Sequence, residues 1–125
     1  MVAAAISAAR SEGVAACIAV CNPAGDPIVT IRMDGAPRLS AGIALDKAYT
    51  VASFNGMPTH KWWPLLADDP ALVHGFPHTP RLVVFGGGVP VRVDGAVVGA
   101  VGVSGGSSDQ DRVIAEAAAG AVSGP

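Results

Sequence analysis

Charge is scarce in this chain. Of 125 residues, 14% are Asp, Glu, Lys or Arg, where a typical globular protein carries about 25%. The net charge is −2 and no basic stripe occurs, so a nucleic-acid-binding surface is not expected. No apolar run reaches the ~18 residues of a membrane span, so no membrane association is expected either. Cysteine is limited to Cys17 and Cys21. Four residues apart on a strand, their backbones lie ~13 Å apart, beyond disulfide reach. Free thiols of this kind fit a reducing compartment, which makes the cytoplasm the expected location. Without clustered histidines they form no zinc site, and no metal site is expected. The first ten residues lack a basic start and read as a helix rather than a signal peptide.

What the chain has in quantity is small apolar residues: half of it is hydrophobic, and 16 residues are Gly. Such a composition favours close packing of elements and suggests that other subunits cover part of the surface, a homo-oligomer. The length suits a single domain over residues 1–125 with a real core.

The pattern along the chain predicts elements in the following order. Residues 2–12, rich in Ala and stopped by Gly13, form a helix. Residues 14–21 (VAACIAVC) are a continuous apolar run, as in a strand covered on both faces. A turn at 22–26 joins it to a strand at 27–33, giving an antiparallel hairpin. Pro37 opens a helix to Phe54 whose Ala41, Ala44, Leu45, Ala48 and Ala52 share one face. Thr59 caps a short helix over 60–67. Residues 68–80, with three prolines, are irregular. Strands follow at 81–85, 91–93 and 96–103, the last two joined by the hairpin signal Asp94-Gly95. A final helix to about residue 122 begins at a capping pattern, Ser108 with Asp111 or Ser107 with Gln110. The fold class is α+β, a layered α/β/α domain with an antiparallel sheet of about five strands.

Candidate chemistry gathers where charge interrupts this background. Arg32 and Asp34, two apart on an extended backbone, face one side. They can bind an anionic or carbonyl-bearing ligand with Asp34 as general base, or form an ion pair that pins the turn. Lys47 is placed on the helix side opposite the alanines. It is either an anion-binding or Schiff-base amine or a solvated lysine. His60, His74 and His78 are the only histidines; their spacing matches no metal motif, and His60, beside Trp62 and Trp63, is the best proton-transfer candidate. The loop at Gly86-Gly87-Gly88 lacks the ending of a phosphate loop and reads as a bulge that lets backbone amides approach a ligand or partner.

Four stretches resemble the GlcG/HbpS-like family, also called haem-binding or haem-degrading. The first is residues 21–26, with Asn22 where the family usually has Asp. The second is Arg32-Met33-Asp34-Gly35-Ala36. The third runs from Asp46 through Lys47, Tyr49 and Thr50 to Ala52, followed by Pro58-Thr59. The fourth is Gly86-Gly87-Gly88-Val89-Pro90, continued by Asp94-Gly95, residues 98–106 and Gln110-Asp111. The resemblance implies a profilin-like fold and homo-oligomers. Some relatives bind haem or sense redox state, some are fused to corrinoid-handling enzymes, and many sit beside catabolic genes. The chain departs from the relatives at its N-terminal helix, which has no histidine where one of them carries a haem ligand. The expected function is an oligomeric small-molecule-binding protein, with haem or a related tetrapyrrole as a candidate ligand. The alternative is an enzyme without organic cofactor that moves protons on a small oxygenated metabolite, with Asp34, Lys47 and His60 as catalytic residues. Arg32, Asp34, Lys47, Thr59, His60, Gly87 and Gly88 form the expected ligand-binding set.

Overall fold

Strand β1 (Cys17–Cys21) is buried along its whole length, as its unbroken apolar run requires. In the computed structural model, which describes residues 1–123, β1 lies at the centre of one antiparallel sheet. It pairs with β2 (Pro27–Arg32) on one side and β4 (Ala96–Ser104) on the other, and β3 (Gly88–Val93) completes the order β2-β1-β4-β3. Alternate side chains of β1 then enter two different cores. Ile18 and Val20, with Val101 and Val103 of β4 and Val89 and Val91 of β3, face helices α1 (Val2–Ser11) and α5 (Ser108–Ser123). Cys17, Ala19 and Cys21, with Ala100 of β4, face Ala44, Ala48 and Val51 of helix α2 (Ser40–Ser53). The result is an α/β/α sandwich.

Several predicted elements appear as expected. The β1–β2 hairpin pairs Cys17 with Arg32 and carries a register shift at Val20/Cys21. The β3–β4 hairpin turns at Asp94 (φ 51°) and Gly95 (φ 81°), the two left-handed residues of a type I′ turn. Both cysteines are free and buried. Helix α5 opens with the Ser107/Gln110 capping box: Gln110 N donates to Ser107 Oγ (3.1 Å) and Ser107 N to Gln110 Oε1 (3.0 Å).

Other expectations are corrected. The sheet has four strands, not five, because residues 81–85 pair with no strand. Thr50 of α2 takes the place of a strand partner: its hydroxyl donates to Arg81 O (2.8 Å) and accepts from Val83 N (3.0 Å). Arg81 also has φ +66°, which breaks an extended course. Strand β3 instead begins at Gly88, inside the stretch expected to be loop. The segment 68–80 contains a helix, α4 (Pro70–Gly75), whose N-cap Asp69 accepts from Leu72 N (3.2 Å), and then a 3-10 turn Phe76–His78. Thr59 caps nothing; it starts a 3-10 turn, Thr59–Lys61, that leads into α3 (Trp62–Leu66). Pro37 precedes α2 rather than opening it: Ser40 N donates to Pro37 O (3.0 Å) and the helix starts at Ser40.

Small residues let α2 lie against the sheet. A Cβ added at Gly102 of β4 would collide with backbone atoms of Ala44 and Ala48. Backbone cannot swing aside as a side chain can, so Gly102→Ala must lift α2. The expected loss is about 1–3 kcal/mol of stability, read as a lower urea midpoint; an unchanged midpoint would show that the contact carries no weight.

Candidate functional site

Lys47 occupies the core face of α2, three residues after Ala44, and has no exposed surface. Its expected place opposite the alanines is therefore wrong. The core-facing positions are Ser40, Ala44, Lys47, Ala48 and Val51, whereas Ala41 is exposed and Ala52 only half-buried. An isolated buried ammonium is strongly unfavourable, and here it is well partnered. Nζ donates to Val103 O (2.8 Å) and to Asp111 Oδ2 (3.0 Å), and lies 5.1 Å from the centroid of the Phe85 ring. Burial pulls the Lys47 pKa below its ordinary value, while the charge and hydrogen bond of Asp111 push it back up. Asp111 is buried too, and its second oxygen accepts from Gly106 N (2.9 Å).

The glycine loop is shaped around this pair. Gly87 has φ +126°, and a Cβ there would lie 2.6 Å from both Lys47 Nζ and Val103 O. Its carbonyl accepts from Val103 N (2.8 Å). Gly88 N donates to Thr59 Oγ1 (2.8 Å), and a Cβ on Gly88 would lie 2.8 Å from Lys47 O. The close approach expected of the loop is thus made to the chain's own lysine and threonine.

Four expected site residues therefore come together: Lys47, Thr59, Gly87 and Gly88. His60 follows Thr59 and lies beside the loop, where its Cβ would be 3.5 Å from a Cβ on Gly86. Arg32 and Asp34 do not join them. Both are exposed and line a separate surface hollow with Ile6, Arg10, Ile31 and Met33. Arg32 donates to Ala36 O (3.3 Å), a turn contact within the 32–36 motif, and the described residues contain no ion pair between it and Asp34.

His60 borders two cavities. It lines a cavity of about 410 Å³ with Trp63, Phe76, Val84, Phe85, Gly86, Ser108 and Asp109. It also borders a second cavity, with Met57, Lys61, Pro64 and Leu65. Among the described residues, the buried His60 Nδ1 and Trp62 Nε1 have no hydrogen-bond partner. Trp62 is held edge-on against Phe54 at the end of α2, with ring centroids 4.6 Å apart. Burial lowers the His60 pKa, the charge of Arg112 lowers it further, Glu116 opposes, and Lys61 adds a smaller lowering. The neutral imidazole, which can donate a lone pair, is favoured. His74 and His78 stand on α4 and the following turn and line neither cavity. No cluster of three metal-ligating side chains occurs among the described residues.

Sequence reasoning missed Asp111, Phe76 and Phe85 as parts of this region. Asp111 was legible as a capping candidate with Ser108 and as part of the Gln110-Asp111 stretch, not as a partner of Lys47. Its partner is 64 positions away, and no local signal reports such a pairing.

Two predictions follow from these contacts. Lys47→Met leaves the Asp111 carboxylate buried without its cation and costs about 3–5 kcal/mol. Adding Asp111→Asn, which is neutral and still accepts from Gly106 N, recovers a large part of that loss. Strict additivity of the two changes would contradict the coupling. The second concerns pH. A histidine held below its ordinary 6.5 binds fewer protons folded than unfolded. Stability is then full at neutral pH and falls as pH drops through 6.5 toward the lowered folded value. His60→Gln flattens this part of the stability profile, measured by urea unfolding from pH 7.5 to 5; an unaltered slope would remove His60 as its source.

The chain matches the family described as haem-degrading protein HbpS-like over residues 1–120. It is 42% identical over 101 residues to a 15.0 kDa protein of Citrobacter freundii encoded between dhaT and dhaS, covering 79% of this chain and 70% of that one. It is 32% identical over 120 residues to the corrinoid adenosyltransferase PduO of Salmonella typhimurium; this covers 95% of the chain but only 35% of PduO. Among solved structures, a PduOC–haem complex superimposes with a TM-score of 0.88 at 32% identity, covering 97% of this chain and 88% of that one.

Proposed function

The chain belongs to the haem-degrading HbpS-like family, and from that premise we propose that it binds haem or a related tetrapyrrole in the cleft beside His60. One observation carries the reading: His60, whose buried Nδ1 has no hydrogen-bond partner among the described residues, lines a cavity walled by Trp63, Phe76 and Phe85. The cavity volume, about 410 Å³, lies in the range of small-molecule sites, and its mostly apolar wall with few polar groups is their usual composition.

The residues present fit such a group. His60, kept neutral by its surroundings, is the side chain that would hold the iron. Trp63 and Phe85, about half exposed, would cover the ring faces and exclude water. Haem, when bound, would supply an iron centre that a neutral imidazole can hold. The solved PduOC–haem complex supports the choice of ligand.

The enzymatic alternative draws less support from the geometry. The Lys47 ammonium is sealed from solvent and engaged by Val103 O and Asp111. Asp34 lies on another surface. Self-association, by contrast, is supported by exposed apolar side chains such as Ile28 on the edge strand and Leu39 before α2.

Haem titration is the test. Wild type is expected to shift the Soret band with saturation, and His60→Ala to lose that shift or bind at least tenfold more weakly. An identical spectrum and affinity in His60→Ala would move the site elsewhere. Light scattering on the same sample is expected to give a molar mass above that of one 12.4 kDa chain; a single-chain mass would remove the self-association.

A further inference from the structure

The cleft is apolar on most of its walls, yet charged side chains stand close to it. Lys61, exposed, lines the second cavity that His60 borders. Across His60, Ser108 and Asp109 of α5 line the first cavity. Residues four apart on a helix share a face, so Ser108, Arg112 and Glu116 form one stripe that climbs α5 from the cavity. Arg112 Nε donates to Glu116 Oε1 (2.8 Å), and both side chains are about half exposed. The field at His60 registers all three nearby charges, Arg112, Glu116 and Lys61.

Two cations thus stand near His60: Lys61, next to it in the chain, and Arg112, one helical turn beyond the Ser108 that lines a cavity with His60. The acids beside them are Asp109, at the cavity wall, and Glu116. Glu116 is committed to Arg112, so a carboxylate on a ligand would have to compete with it. Arg112, a planar fork of donors, suits a carboxylate in two-point contact. Nothing in the fold requires the pair: it is an exposed i,i+4 bridge, whose contribution to stability is small.

Building on the proposed tetrapyrrole site, we propose that Lys61 and Arg112 bind the peripheral carboxylates of the ligand and that Glu116 tunes this by competing for Arg112. The ligand class is therefore an anionic tetrapyrrole, one with free carboxylates at its rim, rather than any flat apolar ring. Arg112 and Lys61 are specificity-determining residues; Glu116 sets the affinity through Arg112.

The experiment compares haemin with its dimethyl ester, in which both carboxylates are blocked, in the same detergent. Dissociation constants are read from the Soret band for wild type and for Lys61→Gln, Arg112→Gln and Glu116→Gln. Arg112→Gln and Lys61→Gln are each expected to weaken haemin about three- to fivefold and to leave the ester unchanged. Glu116→Gln is expected to tighten haemin by about twofold or more, again without effect on the ester. Equal changes for haemin and ester, or no change with Glu116→Gln, overturn the carboxylate assignment and leave the haem reading standing. Failure of the wild-type protein to bind either compound overturns the haem reading and the carboxylate sites with it. All three positions are exposed, and unaltered urea midpoints confirm that the variants fold.

Discussion

A fully buried lysine imposes more on this fold than any other single group. Removing an ammonium from water is tolerable only when hydrogen bonds and an opposite charge replace the lost solvent. Each replacement for Lys47 comes from a different element: Val103 from β4, Asp111 from α5, and the Phe85 ring from the segment before β3. The ion pair therefore spans the sandwich, joining the helix on one face of the sheet to the helix on the other. Gly87 is needed where it stands because any side chain there would displace the ammonium. Thr59 then fastens the next residue, Gly88, through its hydroxyl. A charge that would otherwise destabilise the core acts as its alignment point.

The cleft follows from that alignment. Phe85 touches the ammonium on one side and forms cavity wall on the other. Thr59 anchors the start of the segment that carries His60, Trp62 and Trp63. Asp111 fixes the first turn of α5, which supplies Ser108 and Asp109 to the same cavity. The sheet itself contributes little lining. The cleft is built from the long connection between α2 and β3, held at one end by Thr59 and at the other by Thr50, whose hydroxyl satisfies the backbone at Arg81 and Val83.

How much of this was legible in the sequence depends on how far each signal reaches. The β1 run, the Asp94-Gly95 turn and the Ser107/Gln110 box are local. Each fixes the chain within a few residues: the turn appears as read, the Ser107/Gln110 alternative is the one that forms, and the strand begins at Cys17 rather than residue 14. Residues 81–85 look like a strand because β-branched and aromatic residues favour one. The segment is instead decided by Thr50, 31 positions earlier, and by the left-handed Arg81. Lys47 misled for a related reason. Helical periodicity places a lysine among alanines by its chemistry, which argues for solvent, whereas its burial depends on Asp111, invisible at a separation of 64. The charged motif at Arg32 and Asp34 was the most conspicuous local feature, yet the fold puts it with α1 residues Ile6 and Arg10, in a hollow apart from Lys47.

The charges of this chain thus divide by environment rather than by type. Lys47 and Asp111 are sealed, paired across elements and committed to holding the layers in register. Lys61, Arg112 and Glu116 are at the surface, where a pair exchanges partners at small free-energy change because water screens both states. Only the second group can respond to a ligand without loosening the core. In a protein so poor in charge, their place near His60, whose buried Nδ1 has no partner among the described residues, would give the proposed site what apolar walls cannot: a preference among ligands of similar shape. Apolar contact discriminates weakly between flat rings of equal area, since it scales with surface and has no direction. Charged donors at the rim distinguish them by where their carboxylates lie.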